Sequence, residues 1–430
     1  MTFDLAVDAV SRNLPTAWRI EPFRRHATLV NETNSNRSMP LLSLTSTGLI
    51  QPRSEDGGLG KQAPSESTIE RYWVARPGDL VVNPMWLIGG GIGVSQTTGA
   101  VSPDYRVYRL GSALHPRFVH HLLRSSPYRD QYRLYTRADT TFDRRVSKEN
   151  FHPMPLLVPP LEEQRRIANF LDTEIARINA LDSARDRQIS LLEERMMASW
   201  SDLIDQDARD STWAPLRRFI TTITDGPFGS ALTSSHYSDE GARVIRLGNL
   251  GRAEFRDRDP AYIPLGYFAE LRRHEALPGD LIVAGLGDQN YPLGRACVVP
   301  DGIGPAMVKA DCFRLRLDQR RILHEYAAWA LSSPRVADQV MLLARGSTRA
   351  RINLEVARDI PLPVPSLERQ RRSIAALQET RSATNAIVTR CRQQLDLLVE
   401  RRQALITAAV TGQFDVSTAS GRNVTERVPV

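Results

Sequence analysis

The stretch PLLVPPLEEQRRI, Pro155 to Ile167, returns about two hundred residues later as PLPVPSLERQRRSI, Pro361 to Ile374. Each copy reads the same way. Each closes a β-rich, turn-punctuated half of the sequence. A proline-guarded helix follows in each copy. Beyond Pro160 no proline or glycine occurs until well past Met197, so a long uninterrupted helix is expected.

Working outward from these two points, three more blocks recur in the same order. VARPGDLVV at Val74 to Val82 matches EALPGDLIV at Glu275 to Val283, and DYRVYRL from Asp104 matches DCFRLRL from Asp311. The SSP of Ser125 to Pro127 matches that of Ser332 to Pro334. The Pro-Gly-Asp blocks are tight turns feeding β-branched strands. Between the matching blocks the copies diverge, as in Thr221 to Arg256 against Arg24 to Arg53. A duplicated scaffold with different inserts suits the reading of two different targets.

The fold expected is α+β: two β-rich recognition domains, each followed by a long helix, related by an internal pseudo-twofold repeat, with the helices pairing as an antiparallel coiled coil. The boundaries expected are 1–160 and 201–366 for the domains, 161–200 and 367–414 for the helices, and 415–430 for a mobile tail. Ile167, Leu171, Ile178, Leu181 and Leu192 form an amphipathic stripe in the first helix. In the second, Ile374, Leu377, Val388, Cys391, Leu395, Leu398 and Leu405 follow an alternating three-four seam, interrupted by Arg381, Thr384 and Arg402. A helix of about 37 residues is roughly 55 Å long, more than one turn of DNA, so such a pair could space two reading heads. The plainer alternative is two helices packed as a bundle on a globular core.

The doubled proline-led helix start after a β-rich variable region resembles the specificity subunit of type I restriction-modification enzymes. DGPFGS at Asp225 to Ser230 and VIRLGNL at Val244 to Leu250 look like the opening of that family's recognition domains. The resemblance runs from Trp18 to about Phe414, although the first copy has no clear counterpart of Asp225 to Ser230 around Arg24 to Ser38. It implies a non-catalytic subunit without a cofactor that binds double-stranded DNA at a bipartite sequence. It also implies two adenine-methyltransferase subunits docked on the paired helices and a motor-nuclease subunit as a further partner. Gln164, Ile167, Leu171, Ile178, Leu181, Gln370, Ile374, Leu377, Leu395 and Leu398 are the candidate spacer and docking residues.

The chain carries 56 Lys+Arg against 49 Asp+Glu, a net +7 that a polyanion-binding surface needs without proving one. Only Lys61, Lys148 and Lys309 are lysines. Arginine's planar fork suits guanine edges and phosphates, yet a GC-rich gene yields the same bias. The richest clusters precede each helix. Arg124, Arg129, Arg133, Arg137, Thr140, Arg144, Arg145 and Lys148 form the first candidate DNA-contact set. Arg345, Ser347, Thr348, Arg349 and Arg351 form the second, and a solvated basic face is the competing reading.

Catalytic chemistry is poorly supported. A nuclease metal site needs a carboxylate two residues before a lysine, and those positions hold Leu59, Val146 and Met307. Gly60-Lys61 is followed by Gln62, which breaks a P-loop. Asn83-Pro84-Met85-Trp86 is similar to the motif with which amino-methyltransferases grip a flipped adenine, but its second proline is missing and no glycine fingerprint accompanies it. A turn beside a strand is the favoured reading. His120-His121 reads as solvated or packed histidine, and three cysteines without C-x-x-C spacing argue against zinc and disulfides alike. Asp4 and Asp8 stand where a secretory signal needs basic and apolar residues, and the uncharged run Leu80 to Pro103 reads as strands and turns, so a cytoplasmic protein is expected. Two other functions remain open: a self-contained DNA adenine methyltransferase, which would bind S-adenosylmethionine, and a helical scaffold, which would show no DNA selectivity.

Overall fold

The computed structural model describes residues 14–53, 65–136, 145–287, 291–344 and 350–418. The chain forms two compact units: Met1–Asp186 with Arg392–Val430, and Arg187–Cys391. Both are built to one plan.

In the first unit the strand Arg19–Pro22 pairs antiparallel with Pro155–Val158, so the β-rich part opens and closes on one ribbon directly before its long helix. A 3₁₀ turn, Phe23–Arg25, leads into a four-stranded sheet ordered Ala27–Leu29, Arg106–Leu110, Leu80–Val82, Ile92–Val94. The uncharged run from Leu80 thus contains strands and turns, as expected. Phe23, Tyr108 and Phe151 meet edge to face or stacked, with ring centroids 4.8 to 5.7 Å apart. Each such side chain stabilises the core by about 1.5–3 kcal/mol on burial.

The second unit repeats the ribbon with Thr212–Pro215 against Pro361–Val364, the 3₁₀ turn with Leu216–Arg218, and the sheet with Ile220–Thr224, Cys312–Leu317, Leu281–Ala284 and Ala296–Val298. Where the first unit pairs Trp73–Ala75 with Gly99–Val101, the second has a four-stranded sheet in which Glu275–Ala276 pairs with Ala306–Val308 and Ala242–Ile245 runs parallel to the latter. Of these strands Ala242–Ile245 comes from the sequence that diverges between the copies. Cys297, Cys312 and Cys391 are buried and free.

The first long helix is Leu161–Arg209 and the second Leu367–Val410. Their 49 and 44 residues correspond to roughly 74 and 66 Å. The first therefore overruns its expected end at residue 200. Trp200, Ile204 and Ala208 continue the apolar stripe, with Trp200 and Ile204 entering the second unit's core, and no helix breaker intervenes before Pro215. Within each unit an early segment of one helix lies beside a late segment of the other. Arg402 Nη1 donates to Asn179 Oδ1 at 3.0 Å in the first unit, and Ser373 Oγ donates to Asp207 Oδ2 at 2.7 Å in the second. The pairing is antiparallel in both. Of the expected tail, Val416–Thr418 forms a 3₁₀ turn and residues 419–430 lie outside the described residues, as do Asp4 and Asp8. No helix of the described residues is long and apolar enough to cross a membrane.

Candidate nucleic-acid interface

The β-rich part of each unit is tied to its long helix by a buried glutamine. Gln164 Nε2 donates to the carbonyls of Pro159 and Ala113 at 2.8 and 2.9 Å, and its Oε1 accepts from His115 N at 2.8 Å. Gln370 does the same with Pro365, Arg321 and Leu323, at 2.9, 3.0 and 2.9 Å. The Pro-Gly-Asp turns are matched as closely. Asp79 accepts from Arg76 N and takes a two-pronged contact from Arg109 at 3.1 Å. Asp280 accepts from Leu277 N and takes the same fork from Arg316 at 2.7 and 3.0 Å. Gly78 and Gly279, at φ +91° and +84°, supply the left-handed residue that each turn requires.

On this frame the first unit presents Arg145 and Lys148, both exposed. Val146 between them is fully buried: its carbonyl accepts from Arg106 Nη2 at 2.9 Å and its N–H donates to Pro84 O at 3.0 Å. Ser147 caps the short helix Lys148–Phe151 by accepting from Asn150 N, and Phe151 plugs that helix into the core. Arg145 and Lys148 share with Trp73 and Tyr105 a cavity of about 540 Å³. Basic groups beside half-buried aromatic rings suit phosphate contact with neighbouring stacking or base-edge contact.

The other expected residues separate. Arg133 is exposed and ion-paired with Asp130 at 2.5 Å, and Arg129 is half-buried on the same helix. Arg124 is not a surface cation. It donates to the carbonyls of Gly90, Ile92 and Ser46, and burial pulls its guanidinium down to about 10, so it braces the fold instead of meeting a ligand. Arg137, Thr140, Arg144, Arg345, Ser347, Thr348 and Arg349 lie outside the described residues. Arg351 is exposed, pairs with Asp311 at 2.6 Å and lies over the ring of Phe228, 5.7 Å from its centroid.

Phe228 escaped the sequence reading, as did Trp86. They are 48% and 60% exposed, which leaves each ring face open to a partner. Phe228 lies in extended backbone just before the 3₁₀ turn Gly229–Ala231 and Trp86 in a turn; both stretches, D-G-P-F-G-S and N-P-M-W, carry helix breakers, which was the available signal. The second of these is a turn directly after the strand Leu80–Val82, with Met85 N donating to Asn83 Oδ1 at 3.1 Å.

No family model matches the sequence. Over 284 residues the chain is 20% identical to the Type I restriction enzyme MjaVIII specificity subunit of Methanocaldococcus jannaschii, a match covering 63% of this chain and 64% of that protein. The chain thus spans less than two thirds of that relative's length in the match. A solved structure described as the structural basis underlying complex assembly and conformational transition of the type I R-M system superposes with a TM-score of 0.73 at 18% identity, covering 94% of this chain and 100% of the other. The HsdS subunit from Thermoanaerobacter tengcongensis gives 0.55 at 18% identity, covering 94% and 98%. The chain has the fold of the HsdS subunit.

Within this HsdS fold the helix residues singled out in the sequence face mostly inward. Ile167, Leu171 and Ile178 belong to the first unit's core, with Leu398 packed against it and Leu395 half-buried. Leu377 belongs to the second unit's core, against which Ile374 packs. With Gln164 and Gln370 they hold β-rich part to helix and helix to helix. Leu181 is exposed, as are Leu191, Ile387, Leu397 and Val399, so the outward apolar surface of the helices lies there. His121 is packed, and it has a partner that the sequence did not reveal: Asp172 Oδ1 on the long helix, 2.8 Å away, which Arg117 also grips. His120 beside it is pushed down to about 3 by burial and by the neighbouring His121 and Arg124. Among the described residues no group of three or more potential metal ligands occurs.

Proposed function

We propose that this chain is the DNA-reading specificity subunit of a type I restriction-modification complex, with no catalytic group of its own. Each recognition domain reads one half of a bipartite double-stranded target. The long helices set the gap, and their exposed apolar residues, Leu181 and Leu397 among them, dock two methyltransferase subunits, with a motor-nuclease subunit as a further partner. The observation that carries this reading is the reuse of one frame, the Gln164 and Gln370 ties and the Asp79–Arg109 and Asp280–Arg316 forks, beneath two different surfaces. Arg145, Lys148 and Trp86 are the contact residues assigned to the first surface. Arg351 and Phe228 are those of the second; Arg137, Thr140, Arg144, Arg345, Ser347, Thr348 and Arg349 are further candidates by sequence alone.

The test is to co-express the chain with the methyltransferase encoded beside its gene and map methylated adenines by single-molecule sequencing. A split motif with a fixed gap that disappears when this chain is omitted supports the reading. Methylation unaffected by its omission refutes it.

A further inference from the structure

In the second unit the loop Gly251–Arg256 contains a non-glycine residue in the left-handed region, Ala253 at φ +51°. Such strain persists only where the surroundings impose it, and it gathers at functional sites. Here the surroundings are explicit. Ala253 N donates to Ala296 O at 2.8 Å and lies 3.1 Å from Ser332 Oγ. From the second long helix, Arg381 donates to the carbonyls of Ala253 and Arg252 at 2.7 and 2.8 Å. Its guanidinium lies 3.8 Å from the centroid of the Trp329 ring, and burial pulls it down to about 10. The arginine that interrupts the apolar seam is therefore a clamp that holds this loop in its strained shape.

The clamped loop carries Arg252 and Arg256. With Arg295, Arg381, Tyr291 and Glu254 they line a cavity of about 180 Å³. Arg295 is 3% exposed and donates to the carbonyls of Leu250, Leu247 and Pro292 at 2.9, 3.0 and 3.1 Å, so its charge is set in the wall. The guanidiniums of Arg256 and Arg295 lie 5.8 and 5.4 Å from the centroid of the Tyr291 ring. Among the described residues, Arg252, Arg256 and Arg381 form no ion pair, and the carboxylate on the wall, Glu254, belongs to an exposed residue. Four guanidiniums around one concavity focus a positive potential. Against these guanidiniums the lining offers one carboxylate, Glu254, which acts on Arg381; a bound anion would add charge-assisted, forked hydrogen bonds to Arg252 and Arg256.

We propose that this cavity binds a tetrahedral oxyanion, a phosphoryl or sulfate group gripped by Arg252 and Arg256 over a wall charged by Arg295 and Arg381. The group can come from free phosphate or from a phosphodiester of duplex DNA. Only the second source rests on the DNA-reading function.

The full chain is titrated with inorganic phosphate, against sodium chloride at matched ionic strength, by calorimetry and thermal unfolding. The wild-type titration needs no variant, so a misfolded mutant cannot decide the matter. Saturable binding that chloride does not reproduce, weakened at least tenfold in the double variant Arg252→Gln/Arg256→Gln but not in the exposed helix variant Arg371→Gln, supports the free-anion source. If phosphate is inert, duplex binding is followed by anisotropy across salt concentrations. A salt slope lowered in the double variant by about 0.9 for each phosphate left unneutralised supports the phosphodiester source. Phosphate binding with no duplex binding keeps the site and sinks the DNA reading. Phosphate binding unchanged in the double variant, or inert phosphate with unchanged duplex binding, overturns the proposal.

Discussion

Gln370 makes in the second unit the three hydrogen bonds that Gln164 makes in the first: two to carbonyls, one of them from the proline-led helix start, and one from a backbone N–H of the segment leading into the domain's helix pair. The repeat is therefore one of hydrogen bonds as well as of letters. Replacing either glutamine by alanine leaves buried backbone groups unpaired, each worth about 1–3 kcal/mol. We expect Gln164→Ala and Gln370→Ala each to lower the unfolding temperature by several degrees, read by calorimetry.

Asp280 is nearly buried beneath Arg316, with Arg314, also nearly buried, 4.0 Å away. Asp280→Ala removes the fork partner of the part-exposed Arg316 and the counter-charge of Arg314, which keeps Thr222, and should cost about 1–3 kcal/mol. Asp280→Asn keeps an acceptor oxygen and should cost less. Urea unfolding of both variants checks the order.

Arg124 and Arg145 make opposite predictions although they belong to one basic run. Arg145→Ala and Lys148→Ala should each lower the salt slope of duplex binding by about 0.9 for every phosphate that the removed cation had neutralised, with little change in stability. Arg124→Ala should leave that slope unchanged and destabilise the fold, since the carbonyls of Gly90, Ile92 and Ser46 each lose a hydrogen bond. Anisotropy titrations at several salt concentrations, paired with melts, separate the two.

His120 is held neutral by burial, with a folded value of about 3 against an ordinary 6.5. Its depressed value means that the unfolded chain binds a proton the folded chain refuses. Stability from this group is complete above about pH 6.5 and is lost as pH falls toward 3, at up to about 1.4 kcal/mol per pH unit. His115, His152 and His274, also lowered chiefly by burial, act in the same direction. Denaturant unfolding at pH 7.5 and 5 should show His120→Gln losing less stability on acidification than the wild type. An equal loss would discard this account.

The folded protein should resist thiol reagents at Cys297 and Cys312. Both are fully buried, and burial pushes the Cys297 thiol up to about 12 and Cys312 further in the same direction. Modification at pH 8 should become rapid only in denaturant.

What the sequence made legible was whatever local chemistry dictates: the proline-led helix starts, the Pro-Gly-Asp turns and the apolar stripes. The overrun of the first helix to Arg209 was missed because Trp200 and Ile204 continue a stripe whose receiving surface belongs to the second unit's sheet and helices. Arg124 was misjudged, and the clamping role of Arg381 was not visible, for a related reason. An arginine's sequence neighbours do not disclose whether carbonyls from distant segments will enclose it. His121 meets its carboxylate, Asp172, only once the domain has closed on the long helix, and the exposure of Phe228 and Trp86 likewise depends on how distant segments pack.

The division of the helices between the units has a consequence for how the protein is made. The second unit, Arg187–Cys391, is a single continuous piece of chain, complete in its core once Cys391 has been synthesised. The first draws Leu405, Ala409 and Val410 into its core from the last turns of the second helix. Domains form as units during synthesis, the earlier-made ordinarily first. Here the half begun first must wait, its core open along Ile167, Leu171 and Ile178, until the half begun later has already folded and delivered the closing helix.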